Sequence, residues 1–162
     1  MIQIFITGGT IDKYYNELNG ELIFQGTQLP AMLKQAHCTA EMDIQQLMLK
    51  DSLEMTKADR DEIKQHCIAT EAQQIVITHG TDTMVDTAKH LAASIADKTI
   101  VLVGAMIPYA IKQSDALFNL GCAVTAVQLL PAGVYITMNG KVFAWDKVRK
   151  DKQAGEFVTL IV

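Results

Sequence analysis

Cysteine is scarce in this sequence. Cys38, Cys67 and Cys122 are odd in number and far apart, which excludes a disulfide framework and reads as buried free thiols. No apolar run approaches the roughly 20 residues of a membrane span, and the first one, Met1 to Ile6, stops at Gly8-Gly9. That run also has no basic leader, so a cytoplasmic chain without a membrane partner is expected. Basic runs are missing too. The short Lys147 to Lys152 segment is flanked by Asp146 and interrupted by Asp151, and the net charge is -4, which argues against a nucleic-acid partner. His37, His66, His79 and His90 are scattered without the pairing of a zinc site, so no metal is expected. Internal repeats, low-complexity tracts and linkers are absent as well.

What is present is an ordinary globular composition. With 162 residues, 49% hydrophobic and 20% charged, the chain is long enough to bury one substantial core, and residues 1–162 read as one domain. The stretch Gln74 to Leu91 organises the rest. Ile75-Val76-Ile77 has the β-branched, unbroken apolar character of a strand buried on both faces. It ends in the polar cluster Thr78-His79-Gly80-Thr81-Asp82-Thr83, after which Met84, Ala88, Leu91, Ala92 and Ile95 recur at helical spacing. Ligands of open α/β sheets bind outside the carboxyl ends of strands, so hydroxyls and a carboxylate concentrated there suggest a site. The same residue types also cap helices, and that reading stays open.

Similar units fill the chain. Ile2, Ile4 and Ile6 form a strand that runs into Thr7-Gly8-Gly9-Thr10-Ile11, which lacks both the third glycine of a dinucleotide fingerprint and the lysine of a P-loop. The polar stretch Asp12 to Gly20 reads as a lid-like loop that closes as a hairpin onto Leu22-Ile23-Phe24. Leu29 to Ala36 is a short helix with Pro30 in its first turn, and Met42 to Leu49 is a strand ending in Lys50-Asp51-Ser52-Leu53-Glu54-Met55. Thr56 and Asp59 open a helix through Thr70 with a capping-box pattern. Thr99 to Val103 is a buried strand ending in Gly104-Ala105-Met106-Ile107-Pro108. Ser114-Asp115 opens a long helix through Leu130 that is apolar enough to pack between a sheet and a second apolar surface. Gly133 to Thr137 and Lys141 to Ala144 are strands joined by Asn139-Gly140, a type I′ turn pair. Trp145 to Lys152 is charged, and Phe157 to Val162 is an apolar tail that needs cover from this chain or a neighbour, one reason to expect an oligomer. Alternating strands and helices give a single-domain α/β fold, a doubly wound, mostly parallel sheet of the Rossmann-like or flavodoxin-like kind with helices on both faces.

On such a rim Thr10, Ser52 and Thr81 are hydroxyls in want of a base, and His79 lies near enough to Thr81 to stay in consideration. A lysine from the Lys147 to Lys152 segment held beside Asp82 is the other choice. Backbone amides at Gly80-Thr81 and Gly104-Ala105 could face a developing oxyanion, so the residues alone reach acyl transfer or hydrolysis of a small molecule.

Thr7-Gly8-Gly9-Thr10-Ile11 and Thr78-His79-Gly80-Thr81-Asp82-Thr83-Met84 resemble the two signature motifs of the bacterial L-asparaginase family. Asp51 to Met55, Gly104 to Pro108, Ser114-Asp115 with Phe118-Asn119, and Val148-Arg149-Lys150 resemble the same family in the same order, in a short form lacking the usual C-terminal domain. The resemblance implies hydrolysis of L-asparagine to L-aspartate and ammonia, with no cofactor, in a homo-oligomer (dimer or tetramer). It implies that Thr10 attacks, or directs attack on, the side-chain amide, supported by Tyr15, and that Thr81, Asp82 and Lys150 handle protons. Ser52 would then hold the substrate carboxylate and Asp82 its ammonium, with backbone at Gly9, Asp51, Gly80 and Ala105 completing the pocket. Two departures stand out. Leu53 occupies a position that is commonly glutamine, and the acidic contact from the second domain is missing, for which Glu54 is a replacement. Glutamine as the substrate, and a sensor that binds asparagine or aspartate without turnover, are the alternatives.

Overall fold

Alternation along three central strands decides the architecture. The computed structural model of the chain describes residues 1–160. In β1 (Ile2–Gly8), β5 (Gln74–Thr78) and β6 (Thr99–Val103), successive side chains enter two different cores. Phe5, Ile75, Ile77, Ile100 and Leu102 lie in one core, whereas Ile4, Ile6, Val76, Val101 and Val103 lie in the other. A period of two with apolar residues on both sides requires helices on both faces of the sheet. Helices α2 (Lys57–Ala69) and α3 (Met84–Ala92) supply Ile63, Cys67, Met84, Ala88 and Leu91 to the first core. The opposite core takes Leu29 and Met32 from α1 (Leu29–Gln35), and Ala116, Leu120, Ala123 and Val127 from α4 (Ala116–Leu129). Each fully buried aliphatic side chain of this kind contributes about 1.5–3 kcal/mol.

The sheet runs β4-β1-β5-β6-β7-β8, where β4 is Met42–Lys50, β7 Gly133–Met138 and β8 Lys141–Ala144. All neighbours are parallel except β7 and β8. The expected doubly wound, mostly parallel sheet is therefore observed. Chain order reverses between β1 and β5, which places the crevice of an open α/β sheet at their carboxyl ends. Asn139 (φ 56) and Gly140 (φ 72) both take the positive φ of a type I′ turn. Thr56 and Asp59 form a reciprocal capping box on α2. Strand β4 is an edge strand with Asp43, Ile44, Gln45 and Gln46 exposed.

The polar stretch after Thr10 forms a two-stranded hairpin of β2 (Lys13–Asn16) and β3 (Glu21–Phe24), as expected. One expectation needs correction. Cys38 is exposed and Cys122 half-buried, so among the three free thiols Cys67 alone is buried. Burial pushes the Cys67 thiol up to about 12. Cys38 lies past the end of α1, where His37 takes a positive φ of 50 and turns the chain outward. The charged segment and the tail, to which the sequence assigns no element, carry regular structure. They form an antiparallel pair, β9 (Val148–Asp151) with β10 (Glu156–Thr159), and Phe157 is fully buried in the core on the α2–α3 face. That pairing buries Phe157 of the apolar tail within this chain, while Leu160 is 38% exposed and Ile161 and Val162 lie outside the described residues. Among the described residues no helix is long and apolar enough to cross a membrane.

Candidate active site

Four loops at the carboxyl ends of adjacent strands β4, β1, β5 and β6 touch one another through glycine. After β1, Gly9 has φ 81, and a Cβ there would lie 2.4 Å from Gly80 N. Only glycine combines that backbone with that approach. A Cβ on Gly80 would lie 2.7 Å from the Ser52 side chain, and one on Gly104 would lie 2.4 Å from His79 O and 3.2 Å from Thr81 Cγ2. Thr7 Oγ1 ties the strand ends together by donating to Thr78 O at 2.7 Å. Thr10 and Thr81 each follow one residue after the Gly9–Gly80 contact, so two loops from distant parts of the sequence, each bearing a threonine, meet there. Thr10 is half-buried in a short 3-10 turn (Thr10–Asp12), and Thr81 is 7% exposed.

Strand β9 delivers the amine. Lys150 Nζ lies 2.8 Å from both Thr81 Oγ1 and Asp82 Oδ1, with its side chain only 11% exposed. Asp82 is 37% exposed, so the ion pair sits at the border between solvent and interior. The residues Thr81 and Asp82 do not cap α3. Thr83 occupies the cap position without a side-chain cap bond, and the expected alternative role is not observed.

Ser52 is buried in its own 3-10 turn (Ser52–Glu54), and its Oγ accepts from Thr83 N at 3.3 Å. Thr83 Oγ1 donates to Ser52 O at 2.8 Å, which fastens the Ser52 loop to the Thr81 loop. Leu53 and Glu54 lie on the exposed side of that turn, Leu53 at 71% exposure. The Asp51 side chain is paired with Lys13 Nζ at 2.7 Å. Ala105 is buried, and the chain after it is held by the Asp115 carboxylate, which accepts from Met106 N and Ile107 N. Asn119 Nδ2 donates to Gly104 O at 3.0 Å and braces the same loop. Tyr15 is 59% exposed on β2, and its hydroxyl sits beside Gly20 at the hairpin turn.

His79 is not a base for Thr81. It is fully buried, and burial pushes its imidazole down to about 4, with the Arg60 charge acting in the same direction. Its Nδ1 meets Gly80 O at 2.7 Å and its Nε2 meets Thr87 Oγ1 at 2.7 Å. Asp12, two residues past Thr10, is also buried. Oδ1 accepts from Gln28 N at 2.8 Å and Thr27 Oγ1 at 2.9 Å, while Oδ2 has no partner. Burial raises its carboxyl above the usual range, partly offset by those two bonds. Sequence reasoning passed over Arg60, Thr87, Asp12 and Lys13. The available signals were a hydroxyl interrupting the apolar stripe of α3 between Met84 and Leu91, and a carboxylate directly following Thr10-Ile11. Among the described residues no three His, Cys, Asp or Glu side chains gather so as to hold a metal ion.

This set of loops has known relatives. Residues 1–155 match the family described as "Asparaginase, N-terminal". The chain belongs to the asparaginase family. L-asparaginase 2 of Escherichia coli (strain K12) is 39% identical over 106 residues, a match covering 63% of this chain and 29% of that protein. The glutaminase-asparaginase of Acinetobacter glutaminasificans is 37% identical over 105 residues, covering 62% of this chain and 30% of that protein. Among solved structures, the thermostable L-asparaginase from Thermococcus kodakarensis superposes with a TM-score of 0.86 at 27% identity, over 98% of this chain and 51% of that one. The chain thus spans about half the length of that asparaginase and under a third of the two curated relatives.

Proposed function

We propose that this asparaginase-family domain hydrolyses the side-chain amide of L-asparagine, giving L-aspartate and ammonia. The observation that carries the reading is the Lys150 amine set 2.8 Å from both Thr81 Oγ1 and Asp82 Oδ1, beside the loop that bears Thr10. In this reading Thr10 attacks the amide carbon or directs water onto it, with Tyr15 closing over it from the hairpin. The proton released by the attacking hydroxyl, of Thr10 or of water, passes by way of Thr81 and Lys150, which Asp82 holds in place, to the leaving nitrogen, which departs as ammonia. The C–N bond breaks and water supplies the oxygen of the new carboxylate. Ser52 holds the substrate carboxylate and Asp82 its ammonium, with backbone of Gly9, Asp51, Gly80 and Ala105 around them.

Thr10→Ala and Thr81→Ala test it directly. Each removes a hydroxyl that no core packing needs, and each is expected to cut ammonia release by about 10²–10⁴-fold while the thermal transition stays in place. Normal ammonia release by either variant defeats that residue's role. The name of the A. glutaminasificans relative favours glutamine as a second substrate. Kinetics on both amides, side by side, rank them. Heat of asparagine binding without ammonia would replace the enzyme with a sensor. A cytoplasmic homo-oligomer, dimer or tetramer, belongs to the same proposal. It is supported by the apolar outer face of α4, where Phe118 is 63% and Leu129 79% exposed, and light scattering decides the subunit count.

A further inference from the structure

Behind the Thr81 loop, on the side away from the crevice, runs a chain of hydrogen bonds that the chemistry above does not use. Arg60, on α2, spreads its guanidinium over three acceptors. Nη1 donates to Met55 O at 3.1 Å, Nη2 to Thr83 Oγ1 at 3.0 Å and Nε to Thr87 Oγ1 at 3.0 Å. The planar fork fixes these three points relative to one another. Direction along the chain then follows from donor and acceptor capacity. Gly80 O can only accept, so His79 Nδ1 carries the hydrogen of that 2.7 Å contact. A neutral imidazole with its hydrogen on Nδ1 must accept at Nε2, so Thr87 Oγ1 donates there. Thr87 therefore takes a hydrogen from Arg60 and gives its own to His79. The second branch has the same sense, from Arg60 through Thr83 Oγ1 to Ser52 O.

The end of the first branch is a peptide group of the site. In a trans peptide the carbonyl and the following N–H point in opposite directions. With Gly80 O drawn inward by buried His79, the Thr81 N–H faces the other way, away from the imidazole. We propose that Arg60, Thr87 and His79 are positioning residues that set the plane of the Gly80–Thr81 peptide, aiming the Thr81 amide and hydroxyl at the reacting group. Tying both loops to one guanidinium keeps Ser52 and Thr81 in a fixed relation before any ligand arrives. This role rests on the hydrolytic reading for its effect on rate, but the hydrogen-bond directions stand apart from it.

The decisive substitution is Thr87→Val, which keeps the shape of a fully buried residue and removes the relay. It is expected to lower kcat on asparagine about tenfold or more with KM held within about twofold, because a misaimed group costs rate rather than affinity. Thr87→Ser restores the hydroxyl and is expected to recover most of kcat, which a purely space-filling role does not predict. In the ¹⁵N spectrum of the imidazoles, wild-type His79 is expected to show a protonated Nδ1 and a hydrogen-bonded, bare Nε2 whose shift moves in Thr87→Val. Unchanged kcat in Thr87→Val, or a wild-type His79 protonated on Nε2, overturns the proposal. A wild-type protein that releases no ammonia from either amide defeats the hydrolytic reading instead, and the imidazole spectra alone then decide the positioning chain.

Discussion

The two threonine-bearing loops that meet at the Gly9–Gly80 contact are held in different ways. Thr81 is wired from every side: Lys150 and Asp82 in front, Thr83 and Ser52 alongside, His79, Thr87 and Arg60 behind. Thr10 stands at the root of a hairpin whose outer residues are exposed and which is fastened near its base, by Asp12 to Thr27 and Gln28, by Lys13 to Asp51 and by Gln28 Nε2 to Lys13 O. The wired half exists before substrate arrives and cannot shift without breaking buried bonds. The hairpin half can move at small cost, since few buried contacts hold it. A catalytic site needs both properties, preorganised groups and a way in.

Lys150→Met breaks the comparison where it is strongest. If the wired half carries the proton chemistry, ammonia release should fall by about 10³-fold, equal to about 4 kcal/mol of transition-state stabilisation. Folding stability should change by under about 1 kcal/mol, because the Asp82 partner is partly solvated. Paired kinetics and thermal unfolding check this, and a stability loss matching the rate loss would make Lys150 a structural residue.

The second effect belongs to His79. Its imidazole is held down to about 4 against 6.5 in the unfolded chain, with Arg60 the charged group facing it and Thr87, Met55 and Gly80 its other contacts. As pH falls below 6.5 the unfolded chain gains a proton that the folded one refuses. Stability present above 6.5 is lost as pH falls toward 4, by about 3 kcal/mol in total. Asp59, held to about 2 mainly by Lys50 and the Thr56 amide, loses its contribution only below its ordinary 3.8, so it does not overlap the histidine, whereas the raised Asp12 carboxyl titrates against it. Denaturant melts between pH 4 and 6.5 read the slope, and His79→Gln should flatten it.

The sequence made the wired half only partly legible. The strands feeding it were visible because β1, β5 and β6 are apolar without a break, and their polar ends stood out as Thr7 to Ile11 and Thr78 to Met84. Lys150 could be placed only by resemblance. Its position depends on a β9–β10 pair held by Phe157, whose amide donates to Asn139 Oδ1 at 3.0 Å from 18 residues away. No local periodicity encodes a contact of that kind. His79 was ambiguous for the same reason. Its neighbour Thr81 is two residues away in sequence, but strand alternation and the contacts with Met55 and Thr87 send the ring into the core instead.

Gly9→Ala attacks the joint between the halves. A Cβ at φ 81 meets Gly80 N at 2.4 Å, backbone against backbone, so the loops must part. A stability loss of about 2 kcal/mol is expected from the combined strain and overlap, together with loss of ammonia release. Retained activity in a folded Gly9→Ala protein would mean that the two threonines do not act as one site.

The smallest effect comes from the hairpin's base and runs in the opposite sense to His79. Because burial raises the Asp12 carboxyl, the folded state takes up its proton more readily than the unfolded chain does. Its contribution is therefore full below the unfolded value of 3.8 and is lost as pH rises through the raised folded value. Above that raised value a charged, half-partnered Asp12 weakens the clasp it forms with Thr27 and Gln28. Asp12→Asn keeps an oxygen for those two donors and removes the charge. It should leave neutral-pH stability within about 1 kcal/mol of the parent or slightly above it, while erasing the part of the acid-side curve that runs against His79. Loss of much more than that would show that the unpartnered Asp12 oxygen is needed as a carboxylate, and the hairpin would then be fastened as firmly as the Thr81 loop.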